Sequence, residues 1–386
     1  MAGRVAVAVR RNLFPVAILH SDGDYAEVVP QLVRLAEADD IIGAGESILI
    51  KPNLHMEQHW TSGGTVNPGL VGALIEWAKE RGAGRIMVAD GPYMGHSRPE
   101  RVFTETGMAE LVEAQGAEWA AMPRGAYRSF DNASEHLPPR LEISELVFEF
   151  DRLINVAVMK THLDCQVTLG MKNLKGCISN ANKGAFHYEV PDINRAIVAL
   201  NRLMTPDLTI VDGTLGMEGI GPATGTVANF GHIFAGRHTP SVDVIAASAM
   251  GFEVDEVPVL KFAREQGMVN PDDIRVVGEQ LERIRRRFER PHEAMLRELP
   301  GLRLCAEAAC SSCKLNVIRA LRDNVGAGVG LPARCIVMGK TACEDGEAIF
   351  LGECARERAA GRPHLAGCPP RVERVREFLA QFAAEG

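Results

Sequence analysis

No stretch of this sequence approaches the roughly 18 uninterrupted apolar residues that a membrane span requires, so no membrane partner is expected. A surplus of positive charge is missing too. With 42 Lys and Arg against 50 Asp and Glu, the chain carries a net charge of −8. A dedicated nucleic-acid binder would show a basic face, so no nucleic-acid partner is expected either. The sequence holds neither a Walker phosphate loop nor a dinucleotide fingerprint; Gly339-Lys340-Thr341 has the tail of the former without its upstream glycines. Cysteine is nearly absent from the first 300 positions, where only Cys165 and Cys177 occur.

What is present is ordinary globular composition, 46% hydrophobic and 24% charged, over 386 residues. At about 100–200 residues per domain, this length implies two or three domains. Arg10-Arg11-Asn12-Leu13-Phe14 loosely resembles a twin-arginine export signal, but the apolar run after it is short and ends at His20-Ser21-Asp22. No small-residue cleavage site follows. The run reads as a buried strand, and the expected location is the cytoplasm.

From residue 15 to about 280, short apolar runs alternate with amphipathic stretches. Ser47–Asn53, Arg85–Gly91, Leu153–Met159 and Leu208–Gly213 read as strands running into loops. Pro68–Arg81 reads as a helix capped by Asn67, and helices are expected over Asp192–Met204 and Pro240–Phe252. The pattern predicts an α/β fold, a mostly parallel sheet with flanking helices. Such folds place ligands just past the strand C-termini, where Lys51, Asn53, Asp90, Lys160, His162 and Asp212 fall. The basic segment Glu279–Arg290 reads as a solvated helix or linker. It divides an α/β domain over 1–285 from a smaller C-terminal α/β domain over 300–386. That second domain is expected to hold a helix after Cys313, strands at Arg334–Met338 and Ala348–Leu351, and a final helix over Pro370–Ala384.

The other seven cysteines follow residue 300, and metal binding accounts for them better than a disulfide framework, which belongs to small secreted domains. Cys305-x4-Cys310-x2-Cys313 opens the C-terminal domain; Gly352-Glu353-Cys354 and Gly367-Cys368-Pro369-Pro370 come later. Cys310, Cys313, Cys354 and Cys368 form the expected ligand set of a [4Fe–4S] cluster. Four thiolates would also make a closed zinc site, which is the alternative cofactor. Gly352 and Gly367 favour the cluster, because they let the backbone approach its sulfides. Gly-Cys-Pro-Pro-Arg before a helix resembles the cluster-binding segment of the small subunits of nickel–iron hydrogenases and of respiratory complex I. Cys305 and Cys343 are candidates to replace or flank a ligand, and Cys335 reads as a small apolar residue of a buried strand.

The larger domain carries three loop signatures. They are Lys51-Pro-Asn53-Leu-His55 with His59 nearby, Met159-Lys160-Thr161-His162 running into Val167–Gly176, and Asp212-Gly213 followed by Glu218-Gly219-Ile-Gly221-Pro222. Lysines beside glycines and asparagines suit a small anionic substrate, a carboxylate or phosphate. Lys160, His162 and Lys51 are the candidate catalytic residues. Asn53, His55, Lys172, Asn173, Lys175, Asp212 and Glu218 are the candidate substrate-binding residues. A loop histidine is more often an acid–base or hydrogen-bonding group than a ligand, so a second metal at His55, His59 and His162 is the lesser reading.

Lys-Pro-Asn after an early strand, Lys-Thr-His followed by Met-Lys-Asn-Leu-Lys-Gly, and Asp-Gly with Glu-Gly-x-Gly-Pro together resemble the domain-of-unknown-function family three-six-two, over roughly residues 15–280. The resemblance implies a link to ferredoxin-type iron–sulfur modules and to iron–sulfur cluster-binding proteins. The paired cysteine runs of a bacterial ferredoxin are missing here, so two ordinary clusters are not implied.

Three functions fit these residues. The first is an iron–sulfur oxidoreductase or electron-transfer protein, with a redox partner such as a ferredoxin. The second is a non-redox lyase or isomerase using Lys160 or His162 as base, its cluster structural or a Lewis acid. The third is a carrier or maturation protein for a cluster or metallocofactor.

Overall fold

A computed structural model describes residues 13–94, 97–306, 309, 311–339, 341 and 343–383. The chain divides into two compact units. The larger holds residues up to 161, 165–218 and 222–288; the smaller holds 162–164, 219–221 and 289 onward.

The larger unit is built on one mixed sheet. Its strands are β1 (Phe14–His20), β2 (Ser47–Pro52), β3 (Arg85–Asp90), β4 (Glu118–Ala121), β5 (Arg152–His162), β6 (Leu208–Glu218), β7 (Thr226–Gly236) and β8 (Ile274–Gly278). In space they run β8-β1-β7-β6-β5-β2-β3-β4, and the short strand Gln166–Thr168 pairs with β5 off this path. The five strands from β4 to β6 are mutually parallel. β7 runs antiparallel to both β6 and β1. Period-2 alternation assigns the side chains to faces: Ile48 and Ile50 pack into the core on one face, and Leu49 between them packs into the core on the other. Both faces are covered, which is why the central strands are apolar on both sides.

Two of the flanking helices begin at side-chain caps. α1 (Tyr25–Leu35) precedes α2 (Pro68–Glu80), for which Asn67 Oδ1 accepts the Gly69 N–H at 2.9 Å with Pro68 in the first position. α3 (Ile193–Leu203) is capped by Asp192, which accepts the Asn194 N–H at 2.7 Å, and α4 (Thr239–Ala249) lies after β7. The basic segment forms only a short helix at Leu281–Ile284, and Arg283, Arg285, Arg286 and Arg287 are exposed.

The smaller unit has its own fully parallel sheet, β9 (Leu304–Cys305), β10 (Ile336–Met338), β11 (Ile349–Leu351) and β12 (His364–Leu365), in that spatial order. Helices α5 (Ser311–Gly326) and α6 (Val372–Ala380) accompany it. Its core gathers Val317, Leu321, Ile336, Met338, Ile349 and Val375. Among the described residues, no helix is long and apolar enough to cross a membrane.

Candidate functional site

Parallel strands end together, and the C-termini of β2, β3 and β5 deliver Lys51, Asp90 and Lys160. Lys51 is 1% exposed and pairs with Asp90 at 2.6 Å. The other Asp90 oxygen accepts the Leu54 N–H at 2.8 Å. Asn173 Oδ1 accepts from both Lys51 Nζ (3.0 Å) and Asn53 Nδ2 (2.9 Å). Asn53 Oδ1 in turn accepts from Lys160 Nζ at 2.5 Å, and Gly64 O accepts from the same ammonium at 2.8 Å. Asn173 is itself held from beneath, donating to Asn155 Oδ1 and Val156 O of β5.

This chain of bonds explains the Met-Lys-Asn-Leu-Lys-Gly motif. Residues Gly170–Asn173 form a single helical turn whose first two N–H groups, from Gly170 and Met171, donate to the buried carboxylate of Asp243 on α4. Burial pushes the Asp243 carboxyl up to about 7, although those two donors oppose it. At the end of the motif, a Cβ on Gly176 would stand 2.8 Å from Lys51 Nζ and would collide with Asp90 Oδ1, so only glycine fits behind the ion pair.

The site is rich in buried positive charge. Lys51, Lys160 and Lys183 are each at most 5% exposed, and Lys183 Nζ donates to Gly91 O (2.9 Å) and Pro92 O (3.1 Å). Asp90 is the carboxylate that acts on all three. Burial lowers Lys160 from 10.5 to about 7, helped by the charge of Lys172, and lowers Lys183 to about 8.

The remaining predicted residues fall as follows. Lys172 is half-buried and acts on Lys160 through its charge. Lys175 Nζ lies 2.7 Å from His187 Nε2, and burial together with Lys175 holds His187 well below its usual range. The Asp212 carboxylate accepts the Thr214 N–H (3.0 Å) and the Asn67 N–H (3.5 Å), and burial raises its pKa. Glu218 ends β6 opposite Thr226 of β7. His55 stacks edge-on with Tyr93 and His59 caps the turn Trp60–Ser62. His162, the last residue of β5, belongs to the smaller unit, where its Nδ1 accepts the Asp164 N–H at 3.0 Å. Sequence reasoning passed over Asn155, Lys183, His187 and Asp243. Asn155 inside an apolar strand was the one legible signal among them, because a polar group there must be satisfied.

In the smaller unit Cys310 lies outside the described residues. Cys313 is buried in the first turn of α5, while Cys354 and Cys368 are exposed in the segments that follow β11 and β12. Adjacent parallel strands bring those two segments together: Gly352 N donates to Leu365 O (2.9 Å) and Glu353 N to Gly367 O (2.8 Å). Asn316 of α5 donates to Pro370 O at 3.0 Å. Gly352 has φ +97°, and a Cβ there would sit 3.7 Å from both the Cys313 and Cys354 sulfurs. Gly352 therefore lies beside the sulfurs of two of the expected ligands. Cys313, Cys354 and Cys368 are thiolate donors of the kind that a [4Fe–4S] cluster or a zinc ion takes.

A second thiol group was not foreseen. The sulfurs of Cys305 and Cys335 are 3.5 Å apart, those of Cys305 and Cys343 are 3.5 Å apart, and those of Cys343 and Cys335 are 3.9 Å apart. The three form a group that could hold a metal. Burial and the bond with Cys305 push the Cys335 thiol up to about 12. Cys165 and Cys177 are buried in the hydrophobic cores of the larger unit.

Fold and sites together define an α/β protein with a buried lysine–asparagine network at its parallel strand ends and a cysteine-rich second unit able to bind metal. The chain belongs to the family described as Domain of unknown function (DUF362), matched over residues 48–248. The thylakoid-associated protein sll1697 of Synechocystis sp. is 27% identical over 244 residues, 62% of this chain and 74% of that protein. The lactate racemase apoprotein of Thermoanaerobacterium thermosaccharolyticum matches with a TM-score of 0.40 and 14% identity over 62% of this chain, which spans 58% of that chain's length. A protein from Thermotoga maritima matches with a TM-score of 0.39 and 12% identity, covering 83% of this chain and 72% of its own.

Proposed function

We propose that this chain is a cytoplasmic iron–sulfur protein of the oxidoreductase or electron-transfer class, binding a [4Fe–4S] cluster through Cys310, Cys313, Cys354 and Cys368. The observation that supports the reading is the convergence of Cys313 and Cys354, whose sulfurs each lie 3.7 Å from the Cβ position of Gly352. When bound, the cluster supplies one-electron chemistry, and a small redox protein such as a ferredoxin is the partner that fits it.

The larger unit takes a small carboxylate or phosphate. Three buried ammonium groups around one carboxylate leave positive charge uncompensated, and burial already drives Lys160 and Lys183 toward neutrality. An anion restores the balance that a buried charge demands. Asn53 and Asn173 hold Lys160 and Lys51 in place; Lys160 binds the anion as ammonium or takes a proton as amine.

The test is anaerobic purification of the wild type and of Cys354→Ser and Cys368→Ser. The reading expects a brown wild type, with absorbance near 400 nm bleached by dithionite and lost in both variants, in keeping with the thiolate-to-iron band of such clusters. Colourless protein carrying zinc alone contradicts it.

A second reading is favoured by the position of Lys160 at about 7, where a lysine is poised as a general base for lyase or isomerase chemistry. Turnover of a small carboxylate without an electron donor would select this reading, and strict dependence on a donor would select the first.

A further inference from the structure

We propose that Cys305, Cys335 and Cys343 bind a single zinc-like metal ion at a site distinct from the one proposed for the iron–sulfur cluster. The spacing of the sulfurs points to one ion. Around one tetrahedral ion with metal–sulfur bonds of about 2.3 Å, ligand sulfurs lie about 3.8 Å apart. In a [4Fe–4S] cubane each cysteine binds a different iron, and the four cysteine sulfurs lie about 6 Å apart. The three distances here, 3.5, 3.5 and 3.9 Å, match the edges of a one-ion site and are too short for the cubane.

The fold builds this spacing deliberately. Cys305 ends β9 and is paired in register with Val337 of β10. Cys335 stands two residues before Val337, so the period of a strand puts it on the same face as Cys305. Cys343 returns from the loop after β10 to complete the triangle, and all three pack beside Val337, Ala348 and Phe350. Cys335 is 5% exposed, while the other two are half-buried, so the group opens on one side. Among the described residues, these three thiolates supply three of the four positions of a tetrahedral ion. That donor set selects a soft or borderline ion such as Zn²⁺ over Mg²⁺ or Ca²⁺, which prefer oxygen. A disulfide would join two of the sulfurs and leave the third unused. Simple core packing asks for three small apolar residues, not three sulfurs turned toward one another.

The test uses the full chain, purified anaerobically and analysed for zinc, iron and sulfide, with cobalt substitution as the second readout. The wild type is expected to hold about one zinc per chain and, with cobalt, to show sulfur-to-metal charge transfer and strong tetrahedral d–d bands. Cys335→Ser and Cys343→Ser are expected to lose zinc at least tenfold and to keep their iron; Cys354→Ser is expected to lose iron and keep zinc. Cys343→Ser, in the loop, guards against misfolding of the strand variant, with circular dichroism as the check. The proposal is overturned if the wild type retains neither zinc nor cobalt, if Cys343→Ser folds and keeps its zinc, or if that variant loses iron while its zinc is unchanged. In a wild type with zinc and no iron, loss of that zinc in Cys343→Ser supports this site, and zinc kept in Cys343→Ser but lost in Cys354→Ser overturns it.

Discussion

Lys51 and Asp90 meet at 2.6 Å at the ends of two adjacent parallel strands, with side-chain exposures of 1% and 3%. An ion pair so deeply buried is weak evidence for stability, since desolvation offsets most of the attraction. It is strong evidence that neither partner tolerates the loss of the other. Asp90→Asn is therefore expected to destabilise the larger unit by about 3–5 kcal/mol in urea unfolding, and Lys51→Met added to it to recover part of the loss. Equal stability of Asp90→Asn and wild type would show that the pair is not formed.

Gly176 backs directly onto that pair. Adding one methyl forces Lys51 Nζ aside, so Gly176→Ala is expected to cost about 1–3 kcal/mol and to weaken anion binding. Gly326→Ala is the matched control, because nothing lies within 4 Å of its Cβ position. Thermal unfolding of the two variants checks the contrast.

Lys160 titrates near 7, from an ordinary 10.5. Below about 7 it is an ammonium in the folded chain and binds anions; above, it is an amine. Affinity for sulfate or a small carboxylate, whose own charge is constant in this range, is expected to fall at least tenfold between pH 6 and pH 9, in line with about 1.5–3 kcal/mol for a charged hydrogen bond. Lys183, at about 8, adds to the same decline. The stability effect has a definite sign. Between about 7 and 10.5 the unfolded chain binds the proton and the folded chain does not, so this group makes stability rise with pH across that window. Lys160→Met should flatten both profiles, as calorimetry and unfolding can follow.

Gly352 separates two costs of substitution. Gly352→Ala places a methyl between the sulfurs of Cys313 and Cys354 and strains a backbone at φ +97°. Gly361→Ala imposes a similar strain at φ +85° with nothing nearby. Both are expected to lose about 1 kcal/mol, but only the first to lose half or more of the iron per chain.

Much of this was legible in the sequence, and the rest was hidden for physical reasons. Asn67 caps a helix where its spacing places it, and the strand-end rule puts Lys51, Asn53, Asp90 and Lys160 together. The rule does not say which strands are neighbours, so the pairing of Lys51 with Asp90 and the linking role of Asn173 appear only once β2 lies between β3 and β5. β6 was read as ending at Gly213, yet it runs on to Glu218 because it forms an antiparallel ribbon with β7. Cys335 looked like a small core residue, and its burial agrees. Its sulfur faces Cys305 and Cys343 through a register between β9 and β10 that no local pattern encodes.

The most direct test of the central claim is iron and acid-labile sulfide analysis of the anaerobically purified chain, combined with EPR before and after dithionite. The account predicts about four irons and four sulfides per chain and a paramagnetic signal on reduction, all abolished in Cys313→Ser and Cys354→Ser. Protein that folds, carries zinc alone and shows no iron or sulfide would contradict it.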